Sequence, residues 1–213
     1  MSQDWNPLFN HNNVSIEEDT VICDSFYQMR RLTVSNQRFE GGEATITRDL
    51  FWRPDAVCVL LFDPKEDAVV LIEQFRVGTI DHPRSPWLLE LVAGLVEPGE
   101  SPEQVAYREA VEEAGARIHC LEHISRFTPS PGGAREYIDL YCGCVDSRLI
   151  SGVHGLEDEG EDIKVQHFAS EQVFRMIQTG DIDNAPAIIA VQWLQLNKDR
   201  LCEKWSAKEF NEA

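Results

Sequence analysis

The sequence predicts an α+β fold in which helices pack against a mixed β-sheet, with a small β-rich domain in front. Three observations lead there. Short apolar runs of strand length dominate the first half of the chain. Segments with helix start and stop signals begin only at Ser101. From there strands and helices intersperse without the regular βαβ repetition of a doubly wound sheet.

Taken in order, residues 1–20 read as a polar arm. "RRLTVSN" and "EATITRDLFW" are β-rich runs separated by the turn signal Glu40-Gly41-Gly42, so a small sheet is expected here. Arg53-Pro54 breaks the pattern and divides the chain into 1–53 and 54–213. "AVCVLLF" and "AVVLIEQF" follow as two buried strands joined by the turn-rich "DPKED". "PWLLELVAG" reads as one more strand. Ser101 then suits a helix N-cap, Pro102 the first helical position, and Gln104 completes a capping box, with Gly115 as the stop. "YIDLYCGCV" and "IKVQHFA" read as strands. Ser170–Thr179 reads as a helix stopped by Gly180, and Ala185–Leu196 as a helix capped by Asn184.

The bulk properties narrow the function. Of 213 residues, 43% are hydrophobic, enough for a real core. A net charge of −18 argues against a nucleic-acid partner, whose phosphates need a basic surface. The longest apolar run, Ala56–Phe62, is too short to span a bilayer, and the N-terminus has neither the basic end nor the apolar core of an export signal. Six scattered cysteines without a C-x-x-C pair fit reduced, buried thiols, so a cytoplasmic protein is expected.

The densest chemistry lies in "GLVEPGESPEQVAYREAVEEAGA", residues 94 to 116, which holds six glutamates in twenty-three positions. Glu109, Glu112 and Glu113 fall at i, i+3 and i+4, on one face of the expected helix. Like charges so placed repel by a few tenths of a kcal/mol per pair, and these three also crowd the negative end of the helix dipole. Either water screens an exposed face or a cation belongs among them. Magnesium suits such a set, being hard and oxygen-seeking.

Gly94, Glu100, Arg108-Glu109, Glu112-Glu113 and Gly115 stand as G-x5-E-x7-R-E-x-x-E-E-x-G. This resembles the Nudix box, the signature of enzymes that hydrolyse nucleoside diphosphates linked to another group. "PWLLELVAGLVEPGE", "SPGGARE", "SGVHGLEDEGEDIKV" and "DIDNAPAIIAVQWLQL" extend the likeness to the bacterial ADP-ribose pyrophosphatase branch, whose marker is a proline placed as Pro131 is, sixteen residues past Gly115. Ala116 departs from the pattern, which usually has a larger aliphatic there, and Ala110 is likewise small.

The resemblance implies a Nudix α/β/α sandwich over 54–213, preceded by an N-terminal domain that exchanges strands with a second subunit in a homodimer. It implies hydrolysis of ADP-ribose to AMP and ribose 5-phosphate with two or three magnesium ions, manganese being able to stand in. Glu109, Glu113, Glu161 and the Ala93 carbonyl would be metal ligands. Glu159 would be the base, and Glu112 would bind metal or hold a ligating water. Glu100 and Arg108 would lock loop to helix. By itself "GLEDEGED" also fits a solvated acidic loop.

Substrate contacts are expected from Arg76, Leu95, Ser130, Pro131, Gly132 and Glu136. Arg48 and Arg53 could grip phosphate or make surface ion pairs. Phe26 and Tyr27 match, with a one-residue shift, an aromatic pair that holds adenine, although core aromatics look the same. His119 and His123 are four apart but follow the helix stop, and His154 reads as structural. The rivals are hydrolysis of another substrate, GDP-mannose-like or NADH, and a sensor that binds ADP-ribose without cleaving it.

Overall fold

The computed structural model describes residues 5–206, the side chains of Glu159 and Ser206 excepted. The chain forms two compact units. One runs up to Arg53 and takes in Thr128–Glu136; the other comprises Pro54–Phe127 and the chain from Tyr137 on.

The first unit is a four-stranded sheet. Strand β1 (Val14–Asp24) pairs antiparallel with β2 (Gln28–Gln37), and β2 pairs antiparallel with β3 (Glu43–Trp52). The β2–β3 turn needs left-handed backbone at Gly41 and Gly42, with φ of 88° and 79°, which explains two successive glycines. β1 corrects the expectation of a polar arm over residues 1–20. Its "VSIEEDTVICD" carries charges mid-strand, all eleven residues are exposed, and register shifts at Ile16/Glu18 and Val21/Cys23 break the two-residue period.

The second unit is built on a mixed eight-stranded sheet. Its strands are β4 (Ala56–Asp63), β5 (Ala68–Phe75), β6 (Trp87–Glu90), β7 (Val92–Leu95), β8 (Cys120–Phe127), β10 (Ile138–Cys144), β11 (Val153–His154) and β12 (Ile163–Ala169). The intervening β9 (Ala134–Arg135) belongs to the first unit, where it pairs parallel with β3. The path is β11-β12-β5-β4-β10-β8, with β6 added to β5 and β7 to β4. Only β10 and β4 pair in parallel among these strands; the other pairs are antiparallel. "PWLLELVAG" is therefore two short strands that part at Leu91 and pair with different neighbours.

Alternation along the strands divides the core between two faces. Cys58, Leu60, Phe62, Val69 and Leu71 point to one face, packing with helices α2 (Ser170–Thr179) and α3 (Ala185–Ser206). Val57, Val59, Leu61, Val70 and Ile72 point to the other, against Val105, Ala106, Ala110 and Ala114 of helix α1 (Pro102–Ala114). The result is the α/β/α sandwich. Ala110 and Ala116 are fully buried, so their small size fits a tight seat for α1. α3 runs ten residues past the expected end at Leu196, because Leu201 and Trp205, four apart, keep one stripe of a polar segment buried.

Both ends of α1 are closed by its own sequence. Ser101 accepts from the Gln104 N–H at 3.3 Å, and the Gln104 side chain returns the bond to the Ser101 N–H at 2.8 Å. Gly115, at φ 60°, lets its own N–H reach the Val111 carbonyl and the Ala116 N–H reach Ala110. Ser101→Ala is expected to lower the unfolding free energy by about 1 kcal/mol. A shift of the urea midpoint at constant slope checks it.

Candidate active site

In the second unit α1 lies over β7 so closely that any side chain on Gly94 would displace the Glu109 side chain. A Cβ there would sit 1.6 Å from Glu109 Oε1. The Ala93 N–H donates to Glu113 Oε2 at 2.8 Å, and Glu113 is 3% exposed. Glu109 and Glu113 are thus packed onto the β7 backbone, as the spacing of the box requires.

Arg108 is the cation within this group. Its Nε and Nη2 donate to the two Glu100 oxygens, each at 3.1 Å, which joins loop to helix. Its Nη1 donates to Glu109 at 2.7 Å and Glu112 at 3.0 Å, and Nη2 reaches the Leu95 carbonyl at 3.4 Å. The sequence suggested only the first of these links. The charge of Arg108 is held firmly, its pKa raised first by the Glu100 hydrogen bonds.

The carboxylates remain under strain despite Arg108. Burial pushes Glu109 up to about 7, Arg108 pulls it down, and the charges of Glu112 and Glu161 push it up again. Glu113 is pushed up to about 8, first by burial; the Ala93 N–H opposes this, while Glu109 and Glu161 add to it. Glu161, from the loop after β11, is therefore close enough for its charge to act on both. Its Oε2 accepts from the Leu156 N–H at 3.0 Å.

Arg76, at the end of β5, pairs with Glu90 at 2.7 Å, and its charge also reaches Glu113. Sequence reading passed over Glu90, hidden in an apolar run. No local signal marks it; the structure places it opposite Ile72, on the α1 face of the sheet. Burial raises its pKa, with Arg76 opposing.

This donor set fits a hard divalent cation. It is all oxygen, half-buried except for the buried Glu113, and short of positive charge. The side chains do not stand as a finished cage: among the described residues no three His, Cys, Asp or Glu converge in metal-holding geometry. Arg108 engages Glu109 and Glu112, and the Glu159 side chain lies outside the described residues. The backbone of Glu159 ends a short 3-10 turn, Glu157–Glu159.

The first unit gathers another group. The Tyr27 ring lies 4.7 Å edge-on from Phe26, and the Arg53 guanidinium stands 4.8 Å over Tyr27. Arg53 Nε is 3.1 Å from Glu136, without the angle of a hydrogen bond, so the contact is an ion pair. Phe26 is 81% exposed, which sets it apart from a core aromatic. Ser130, Pro131 and Gly132 form a turn in which the Ser130 carbonyl accepts from the N–H groups of Gly133 and Ala134. Arg48 lies apart on β3, donating to the Thr47 carbonyl. His119 has its pKa lowered, first by burial, and His123 lies on β8 with Nε2 3.5 Å from Asp139.

A capped helix whose glutamates pack on a glycine strand, inside an α/β/α sandwich, defines a class of hydrolase. The chain belongs to the Nudix family, and the NUDIX domain profile matches residues 52–192. It is 44% identical over 201 residues to the ADP-ribose pyrophosphatase of Haemophilus influenzae, covering 92% of this chain and 93% of that one. The ADP-ribose pyrophosphatase of Escherichia coli K12 is 41% identical over 199 residues, covering 93% and 95%. A GDP-mannose pyrophosphatase of Escherichia coli O1:K1 is 30% identical, covering 86% and 96%. Among solved structures, a chain described as an ADP compounds hydrolase shares the fold, with a TM-score of 0.62, 20% identity, and coverage of 87% and 96%.

Proposed function

We propose that this chain hydrolyses ADP-ribose to AMP and ribose 5-phosphate. The observation that carries the reading is the packing of Glu109 and Glu113 on Gly94 and Ala93 within a chain so similar to ADP-ribose pyrophosphatases. The reaction depends on a divalent cation, and we assign magnesium, two or three ions, with manganese able to replace it. Glu109, Glu113, Glu161 and the Ala93 carbonyl would hold the ions, with Glu112 beside them. When bound they supply positive charge to the diphosphate as the P–O bond breaks.

The chain's own groups do the rest. Glu159 takes a proton from the attacking water; the water oxygen bonds to phosphorus and the bridging oxygen leaves with the other phosphate. Arg76, held by Glu90, offers a guanidinium to phosphate oxygens, and the Leu95 backbone adds a contact. In the first unit, Phe26 and Tyr27 offer ring faces to adenine. Arg53, Glu136, Arg48 and the Ser130–Gly132 turn offer polar contacts to ribose and phosphate.

We assign the first unit a role in a homodimer with exchanged strands. Its β1 exposes Val14, Ile16, Val21 and Ile22, an apolar content that a lone exposed strand does not need. A cytoplasmic setting suits the six free thiols. Among the described residues no helix is long and apolar enough to cross a membrane.

The test is product release from ADP-ribose, GDP-mannose and NADH, with and without magnesium. Metal-dependent AMP release from ADP-ribose, well ahead of the others, is expected. Preference for GDP-mannose would keep the metal chemistry and overturn the substrate. Binding of ADP-ribose without turnover would make the chain a sensor.

A further inference from the structure

We propose that His154 is the positioning residue that fixes the acidic loop, residues 155–161, onto the end of α1. The inference rests on the reading of Glu159 and Glu161 given above, since it concerns how these residues are placed.

The last carbonyls of a helix need partners. Those of Ala110 and Val111 are satisfied by Ala116 and Gly115, within the chain's own turn. The Glu112 carbonyl is instead taken by the N–H of Gly155, at 3.3 Å, so the loop itself closes the helix. Gly155 has φ 105°, and a Cβ on it would sit 2.6 Å from the Glu161 Cβ. Both ends of the loop therefore touch. The Leu156 N–H donates to the Glu161 carboxylate and the Glu161 N–H to the Leu156 carbonyl. The loop is thus closed at its base.

That base joins the sheet through a short strand. β11 is two residues long, pairing Val153 with Lys164 and His154 with Ile163, and the Val165 N–H donates to the Gly152 carbonyl just before it. The imidazole adds a side-chain anchor towards the helix. Its Cε1 lies where a Cβ on Gly115 would be only 2.8 Å away, so the ring covers the glycine that ends α1. Its Nε2 lies 2.8 Å from the Ser151 carbonyl; a carbonyl only accepts, so Nε2 carries the proton. The Cε1 corner of His154 lies against the helix end, and Nε2 holds the strand's approach. Gly115 accordingly has two reasons to lack a side chain: its left-handed backbone, and the ring that sits on it.

The experiment compares His154→Ala and His154→Gln in the full chain, by amide exchange and by steady-state kinetics on ADP-ribose. Gln places an N–H donor about where Nε2 stands. In H154A the Gly155 and Leu156 amides are expected to exchange about 10-fold faster while those of β4 keep their rates. The same variant should lose about 10-fold in kcat, with KM changed less than about threefold. H154Q should recover most of both. Unchanged loop exchange and kcat in H154A would overturn the proposal. So would faster exchange of the loop and β4 together, which would make His154 a general stabiliser. If the parent chain does not cleave ADP-ribose, the functional reading fails, while the exchange result still decides the anchor.

Discussion

Glu113→Gln is expected to lower kcat by at least about 100-fold while leaving the fold untouched. Removing a residue that merely supports a metal ligand commonly costs about 10–100-fold, so losing the ligand itself should cost no less. The fold should survive because of how this carboxyl is held. It is 3% exposed and pushed up to about 8, so near neutral pH without metal it is mostly the uncharged acid, which glutamine closely copies. The amide oxygen can still accept from the Ala93 N–H. The metal-free variant should melt with the parent, and the rise in Tm that magnesium gives the parent should shrink. Retention of kcat would remove Glu113 from the metal site.

Gly94→Ala is the second change of large effect, and it adds one carbon atom. The added Cβ would stand 1.6 Å from Glu109 Oε1 and 2.4 Å from its Cγ. Gly94 lies in regular pairing with Val57, so its backbone can accept alanine. Glu109 must therefore swing away, and a kcat loss of about 100-fold is expected. Stability should change little, because alanine recovers about 0.5–1 kcal/mol of strand entropy that glycine forfeits. Kinetics beside a thermal melt would check it; a large drop in Tm with kcat preserved would mean that the backbone had moved instead of Glu109.

Much of the site was legible because its residues are close in sequence. The capping box, Gly115 and the glutamate spacing all lie on one helix, where local rules fix which side chains share a face. Gly94 was legible as a fixed position of the box, but its place on a strand directly under Glu109 is set by tertiary packing. Glu90 was not legible, because its partner Arg76 is fourteen residues off and nothing local distinguishes a half-buried carboxylate in "PWLLELVAG". The same holds for the fold. β4 and β5 were plain from unbroken apolar runs, but β1 has no apolar alternation and is specified by its ladder to β2. The end of α3 depends on two side chains, Leu201 and Trp205, in an otherwise polar stretch.

The route of the chain between its two units bears on how this architecture can be cut. The backbone passes between them three times, after Arg53, after Phe127 and after Glu136. A protease that nicks the Arg53-Pro54 joint would not release a free fragment, since Ala134–Arg135 stays laddered to Phe51 and Trp52. Nor can a gene truncated at that joint yield the second unit alone, because residues 128–136 would lose the strand they pair with. The N-terminal sheet is thus no detachable module.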